Sequence, residues 1–216
     1  MESMRGKTPF QLTTDEFSRR IAGYKHIWLD LGTGDGRFVR HMSAQNRQDF
    51  FIGLDACREN LRENSRICPA NALYLIASAQ SLPAGLDGLA AQITINFPWG
   101  SLLRSLLDGD MALLGGLARV ARPDAELTIR LNGGALAEAG WNLEAGTWQV
   151  YERLQSAGFQ TRLPQPLDAA ALRACPTTWA RRLAVGRDPR GWVISARIPV
   201  ELAADKEARI SESIFA

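Results

Sequence analysis

From His26 to Phe38 the chain reads HIWLDLGTGDGRF, an apolar run that ends in closely spaced glycines and then turns helical. A strand feeding a glycine loop and a helix is how a parallel α/β sheet presents a ligand site at the carboxyl ends of its strands. The pattern recurs downstream. Strand-like runs at residues 26–32, 49–56, 72–78, 91–97 and 125–131 alternate with helical spacing at 35–46, up to about Ile67, and from Leu102 to Val120. A helix at 146–157, a sixth strand at 159–164 and a seventh at 192–198 complete the series. Such alternation predicts an α/β fold. Two further stretches stand apart. Residues 5–12 suggest a small N-terminal hairpin before the capping box Thr13-Thr14-Asp15-Glu16, and residues 131–140 suggest an exposed loop. No linker divides the 216 residues, so one domain is expected, with residues 5–25 as an N-terminal extension and 166–191 inserted between the last two strands.

Charge and cysteine usage exclude several classes. No run approaches the ~20 apolar residues of a membrane helix, and MESMRGKTPFQL lacks the apolar segment of a signal peptide. Cys57, Cys68 and Cys175 show no CxxC spacing, so neither a disulfide framework nor a metal site is expected, and the cytoplasm is the expected compartment. A net charge of +2 does not announce nucleic acid by itself. The distribution says more: Arg173, Arg181, Arg182, Arg187 and Arg190 share a segment with a single acid, Asp188. A local basic patch suits phosphate contact at one face; a solvated helix face is the competing reading.

The glycine loop is not the dinucleotide fingerprint. That motif needs G-x-G-x-x-G, whereas this chain has Gly32-x-Gly34-x-Gly36, with Arg37 in the third glycine's place. Asp30 and Asp35 would repel a pyrophosphate and suit a cationic ligand. S-adenosylmethionine (SAM), a sulfonium with an amino-acid tail and a nucleoside head, fits. Asp30 would meet its ammonium, directly or through water, with Gly32 and Gly34 along the amino-acid part. Asp55, ending the second strand, would accept both ribose hydroxyls, while Ala79 and Gln80 would contact the adenine edge. Gly36 also admits a plain packing role.

The whole chain resembles the class I SAM-dependent methyltransferases, which implies a Rossmann-like, seven-stranded, mostly parallel sheet with the last strand antiparallel. The segments IWLDLGTGDGRF, FFIGLDACRENL, SLPAGLDGLAAQITINFPWGSLL and TTWARRLAVGR resemble, more narrowly, the aminoglycoside-resistance 16S rRNA (adenine(1408)-N(1))-methyltransferases. That resemblance implies methylation of N1 of the adenine at position 1408 in the decoding site of the 30S subunit. It also implies that Ser101 and Thr177 help close the cofactor pocket, and that Arg66, Arg182, Arg187 and Arg190 hold RNA phosphates. Members carry a lysine-rich stretch after the second helix, where SRICPANA offers only Arg66.

The strand end Asn96-Phe97-Pro98-Trp99 bears no carboxylate, histidine or thiol. Ring N1 of adenine already presents an in-plane lone pair, so its methylation needs orientation rather than a general base. Pro98 restricts Phe97 toward extended backbone and helps aim Trp99 beside the cofactor methyl. N1 is reached only on a flipped-out base, which is commonly held between aromatic faces. Trp99 supplies one face, and by the resemblance Trp179 supplies the other. Trp28, Trp141, Trp148 and Trp192 read as core. A tRNA guanine-N7 methyltransferase, a non-catalytic SAM- or RNA-binding protein and a small-molecule methyltransferase remain alternatives from sequence. In the first of these TTWARRL has no role.

Overall fold

The computed structural model describes residues 1–186 and 189–199. A hairpin of β1 (Glu2–Arg5) and β2 (Thr8–Gln11) leads into α1 (Thr14–Ile21). Next come β3 (Ile27–Leu31), α2 (Arg37–Gln45), β4 (Phe50–Asp55), α3 (Arg58–Arg66), β5 (Ala72–Ile76) and β6 (Ala90–Asn96). After β6 lie α4 (Gly100–Asp108), α5 (Met111–Val120), β7 (Ala121–Asn132), α6 (Gly133–Glu138) and α7 (Leu143–Ser156). The chain continues through β8 (Gln160–Thr161), β9 (Gln165–Leu167), α8 (Ala169–Ala174), α9 (Thr178–Ala184) and β10 (Gly191–Arg197).

The described residues form ten strands in one sheet, in the order β2-β1-β5-β4-β3-β6-β7-β10-β8 with β9 also pairing β10. The expected seven become ten because the hairpin adds β1 and β2 and the sixth strand is split into β8 and β9. The five strands from β5 to β7 are mutually parallel, and β10 runs antiparallel to β7 from Gly191↔Asn132 to Arg197↔Glu126. The α/β class and the antiparallel last strand match expectation. β3 lies between β4 and β6, so the order reverses there, and this switch point opens a crevice at the strand ends. Helices cover both faces of the central strands, which explains why Phe50 to Leu54 are all buried. Side chains alternate across the sheet. Phe50, Ile52 and Leu54 enter the main core, while Phe51 joins Val39, Leu61 and Tyr74 on the opposite face.

Four expectations need correction. The helix expected from Leu102 to Val120 is two helices, because Gly109 ends α4 at φ 72 and Asp110 caps α5 by accepting from the Ala112 N–H at 2.9 Å. Residues 131–140 are not an exposed loop. Asn132 accepts from the Ala135 N–H at 2.9 Å and starts α6, whose small residues allow Ala135 and Leu136 to pack into the core. The sixth strand is only two residues long, since Pro164 removes a ladder donor between β8 and β9, and the chain resumes pairing as β9. The hairpin begins earlier than residue 5 and extends the sheet, with Ser3 opposite Leu75 and its hydroxyl donating to the Tyr74 carbonyl at 2.8 Å. Thr13 does form the capping box with Glu16.

Candidate active site

A cleft of about 470 Å³ opens at the carboxyl ends of β3, β4 and β6 and the segment after β5. It is lined by Asp30, Gly32, Gly34, Asp55, Ala79, Gln80, Trp99, Ser101, Thr177, Trp179 and Arg182, which brings together residues from the first and last thirds of the chain. Arg66 and Arg190 are exposed and lie outside its lining. Arg187 falls outside the described residues.

The glycine loop is shaped by what lies beneath it. Gly32 sits at φ +66, and a Cβ there would come within 2.7 Å of Leu102. Gly36 at φ +75 would drive a Cβ into the Tyr74 ring at 2.4 Å, so Gly36 serves packing and the start of α2. Gly34 at φ +58 faces open space instead, leaving its backbone accessible to a ligand. Its N–H donates to Asp55 Oδ2 at 2.8 Å. Asp55 Oδ1 accepts from the Cys57 N–H at 2.9 Å and from Asn60 Nδ2 at 3.3 Å. A carboxylate offers about four lone-pair sites, so a second ribose hydroxyl would displace Asn60. Asp55 therefore braces the loop besides facing the cleft.

Asp30 is 3% exposed. Its Oδ1 accepts from Thr94 Oγ1 at 2.6 Å and Asn96 Nδ2 at 2.9 Å. Asn96 Oδ1 accepts in turn from Arg130 at 2.7 Å. Burial pushes the Asp30 carboxyl up to about 6, against the hydrogen bonds and the Arg130 charge that favour its anion. Gln80 is also fixed from within, with its side-chain amide donating to Ser105 Oγ at 3.0 Å.

The outer part of the cleft is aromatic. Trp99 and Trp179 lie with ring centroids 5.1 Å apart and planes at 32°, and the Arg182 guanidinium sits 5.4 Å from the Trp179 ring. Two contacts of ~3.5 Å would be needed to hold a base between the rings, so the expected slot is closed here by the indoles themselves. Phe97 departs from the expected extended backbone. It adopts φ 54, a strained value for a side-chain-bearing residue. Its ring is buried against Leu172, Cys175, Ala180 and Ala184, beneath α8 and α9. That burial, worth about 1.5–3 kcal/mol, offsets a backbone cost of about 1–3 kcal/mol. Thr177 caps α9 by accepting from the Ala180 N–H at 2.9 Å. Thr178 donates its hydroxyl to Asp35 Oδ2 at 2.6 Å, a tie between the glycine loop and the helix that bears Trp179. Sequence reading missed Thr94, Asn60, Arg130 and Thr178. Alternation along β6 and β7 could have placed the first and third beside Asp30 and Asn96.

Fold and cleft together define a SAM-dependent methyltransferase. Residues 2–198 match the family model described as NpmA: 16S rRNA (adenine(1408)-N(1))-methyltransferase. The chain belongs to that family. The enzyme of that description from Streptoalloteichus hindustanus is 33% identical, with 87% of this chain and 94% of the relative covered. The solved 16S rRNA methyltransferase KamB superposes with a TM-score of 0.83 at 28% identity, covering 92% of this chain and all of the other. A mutant of the Catenulisporales acidiphilia enzyme, solved with the cosubstrate SAM, gives a TM-score of 0.79 at 25% identity, covering 92% and 97%.

Proposed function

We propose that the chain transfers a methyl group from SAM to N1 of adenine 1408 in 16S rRNA within the 30S subunit, conferring aminoglycoside resistance. It acts as a monomeric, single-domain cytoplasmic enzyme without a metal. The activity described for its relatives supports the reaction. The observation that carries it in this chain is the orientation of Asn96. Its amide is turned to Asp30 and its carbonyl to Arg130, so the strand end presents indoles rather than an amide to a target base. An exocyclic amine would call for that amide. A ring nitrogen with an in-plane lone pair does not.

The cleft's donor set fits the cofactor: a buried carboxylate at Asp30, open backbone at Gly34, and Asp55 where a diol would lie. SAM, when bound, supplies an electrophilic methyl group. Asp30 holds the ammonium, Asp55 the ribose, Ala79 and Gln80 border the adenine, and Ser101 and Thr177 close the pocket. Trp99 and Trp179 part to grip the flipped base; orientation of this kind can contribute ~7–11 kcal/mol. Their faces also favour the positive charge that develops on the base. Arg66, Arg182, Arg187 and Arg190 hold phosphates, which position the enzyme without reading sequence.

The test is to offer SAM with purified 30S subunits, free 16S rRNA and tRNA, then map the product by reverse transcription. The expected result is a block at one 16S adenine, chiefly in 30S. Methylation confined to a tRNA guanine, or none on any RNA despite SAM binding, would overturn this reading.

A further inference from the structure

The segment after β5 is tied to α4 and α5 by a chain of hydrogen bonds that runs in one direction. Asp110 heads α5, its Oδ1 accepting from the Ala112 N–H at 2.9 Å and its Oδ2 from Ser105 Oγ at 2.9 Å. Ser105 is buried on α4 and accepts in turn from the Gln80 side-chain NH2 at 3.0 Å. At the other end of the same side chain, Gln80 Oε1 accepts from the Ser78 hydroxyl. Ser78 and Gln80 line the cleft, whereas Ser105 and Asp110 lie outside its lining.

The aspartate dictates that direction. An ionised carboxylate only accepts, and a hydroxyl has one proton to give. Ser105 gives its proton to Asp110 and so meets Gln80 with a lone pair. The end of the amide beside it must then be the NH2, which leaves the carbonyl on the cleft side. Without this chain the amide could turn over and present either end, since the two ends differ little in shape. Purines differ at the matching place. Adenine carries an amino group at C6, a donor, whereas a 6-keto purine carries an acceptor there. A carbonyl oxygen has two lone pairs, so Gln80 Oε1 can keep Ser78 and still take an amino proton. Set against a keto oxygen it would leave two acceptors facing each other, which is costly where water is excluded. We propose that Ser105 and Asp110 are positioning residues for the cofactor base: acting through Gln80, they make the pocket select a 6-amino over a 6-keto purine. The inference rests on the assignment of the cleft to SAM, with Gln80 beside the adenine.

The test reads binding rather than turnover, as calorimetric affinities for S-adenosylhomocysteine and its 6-keto counterpart, S-inosylhomocysteine. Wild type should favour the adenine compound by about tenfold or more, the scale of one unpaired acceptor. Ser105→Ala frees the amide and should bring the ratio close to one. General loosening of α4 would weaken both compounds alike and leave the ratio alone. Asp110→Asn keeps the cap of α5, because asparagine also accepts from the helix N–H. Its NH2, however, donates to Ser105, whose proton then turns to Gln80 and reverses the chain, so this variant should favour the keto compound. In a Gln80→Ala background, where the preference is already lost, Ser105→Ala should change nothing further. Equal affinity of wild type for both compounds would overturn the inference. So would the wild-type preference persisting in folded Ser105→Ala and Asp110→Asn, with the assignment to SAM left standing. If neither compound bound folded wild type, the assignment to SAM would fall and the inference with it.

Discussion

Asn96 donates its side-chain amide to Asp30 at 2.9 Å while its carbonyl accepts from Arg130 at 2.7 Å. A half-buried cation near the carboxyl end of β7 thereby reaches, through one amide, a carboxylate buried at the end of β3. The relay biases Asp30 toward its anion, the form that can hold an ammonium group, against a burial penalty that favours the neutral acid.

SAM affinity should therefore be level above about pH 7 and weaken as pH falls through about 6, approaching tenfold per unit below. Arg130→Met or Asn96→Leu should move that midpoint upward, because each removes an influence favouring the anion. Calorimetric titration at several pH values checks this; an unmoved midpoint in both variants would refute the relay. Stability carries the opposite sign. The folded carboxyl titrates near 6 rather than 3.8, so the stability contributed by its neutral form is lost as pH rises through that window. Asp30→Asn should then gain up to about 3 kcal/mol over wild type at pH 7 and little at pH 3 in urea unfolding.

Asp55→Ala should weaken SAM binding by at least tenfold, and for two reasons. It removes acceptors facing the cleft, and it frees the Gly34 N–H that fixes the loop. Asn60→Ala separates the two effects, since it leaves Gly34 bonded while opening one lone pair on Asp55. Its affinity for SAM should hold or improve. A tenfold loss in Asn60→Ala would mean that Asn60 itself binds the cofactor.

The strands and the loop were legible because local pattern decides them. Short runs of five to seven residues, largely apolar in β3 and β4 and alternating apolar with polar in β6, mark these strands whichever helices cover them. The break at Gly109 was visible as a glycine followed by a capping aspartate, yet apolar spacing on both sides masked it. α6 was obscured because small residues read as exposure in sequence, whereas here they allow close packing. Phe97 was misjudged because the preference of a residue before proline is local, and the pocket beneath α8 and α9 that captures its ring is tertiary. The partners of Asp30 lie 64 and 66 residues away, so alternation gives only their shared face on β6, and the pairing of β6 with β3 brings them to the carboxylate.

The placement of Trp179 depends on two contacts at the base of its helix, the Thr178 bond to Asp35 and the Phe97 ring under Ala180. Thr178→Ala should lower kcat for 30S methylation by about tenfold with little change in SAM or 30S affinity, and Thr178→Ser should restore it. Phe97→Ala keeps the strained backbone and loses the packing, so it should also loosen α9 and cost more. A Thr178→Ala enzyme with normal kcat would show that α9 needs no tie to the glycine loop.

Trp99 and Trp179 touch each other at 5.1 Å, so a base entering between them must first separate the rings. Separation breaks an aromatic contact worth about 0.5–1.5 kcal/mol but no hydrogen bond of the Trp99 indole, whose buried N–H has no partner among the described residues in the closed pair. Two stacking faces on the base return about 1–3 kcal/mol each by the usual measure for single contacts, which favours the open pair once adenine is flipped. Trp99→Ala and Trp179→Ala should each reduce methylation at least a hundredfold while SAM binding and 30S docking persist, and phenylalanine at either position should retain part of the activity. The pair should also report on its own opening: tryptophan fluorescence of wild type should change on adding 30S, and that change should vanish in Trp179→Phe. Full activity in either alanine variant, or fluorescence indifferent to 30S at saturating concentration, would rule out the pair as the clamp.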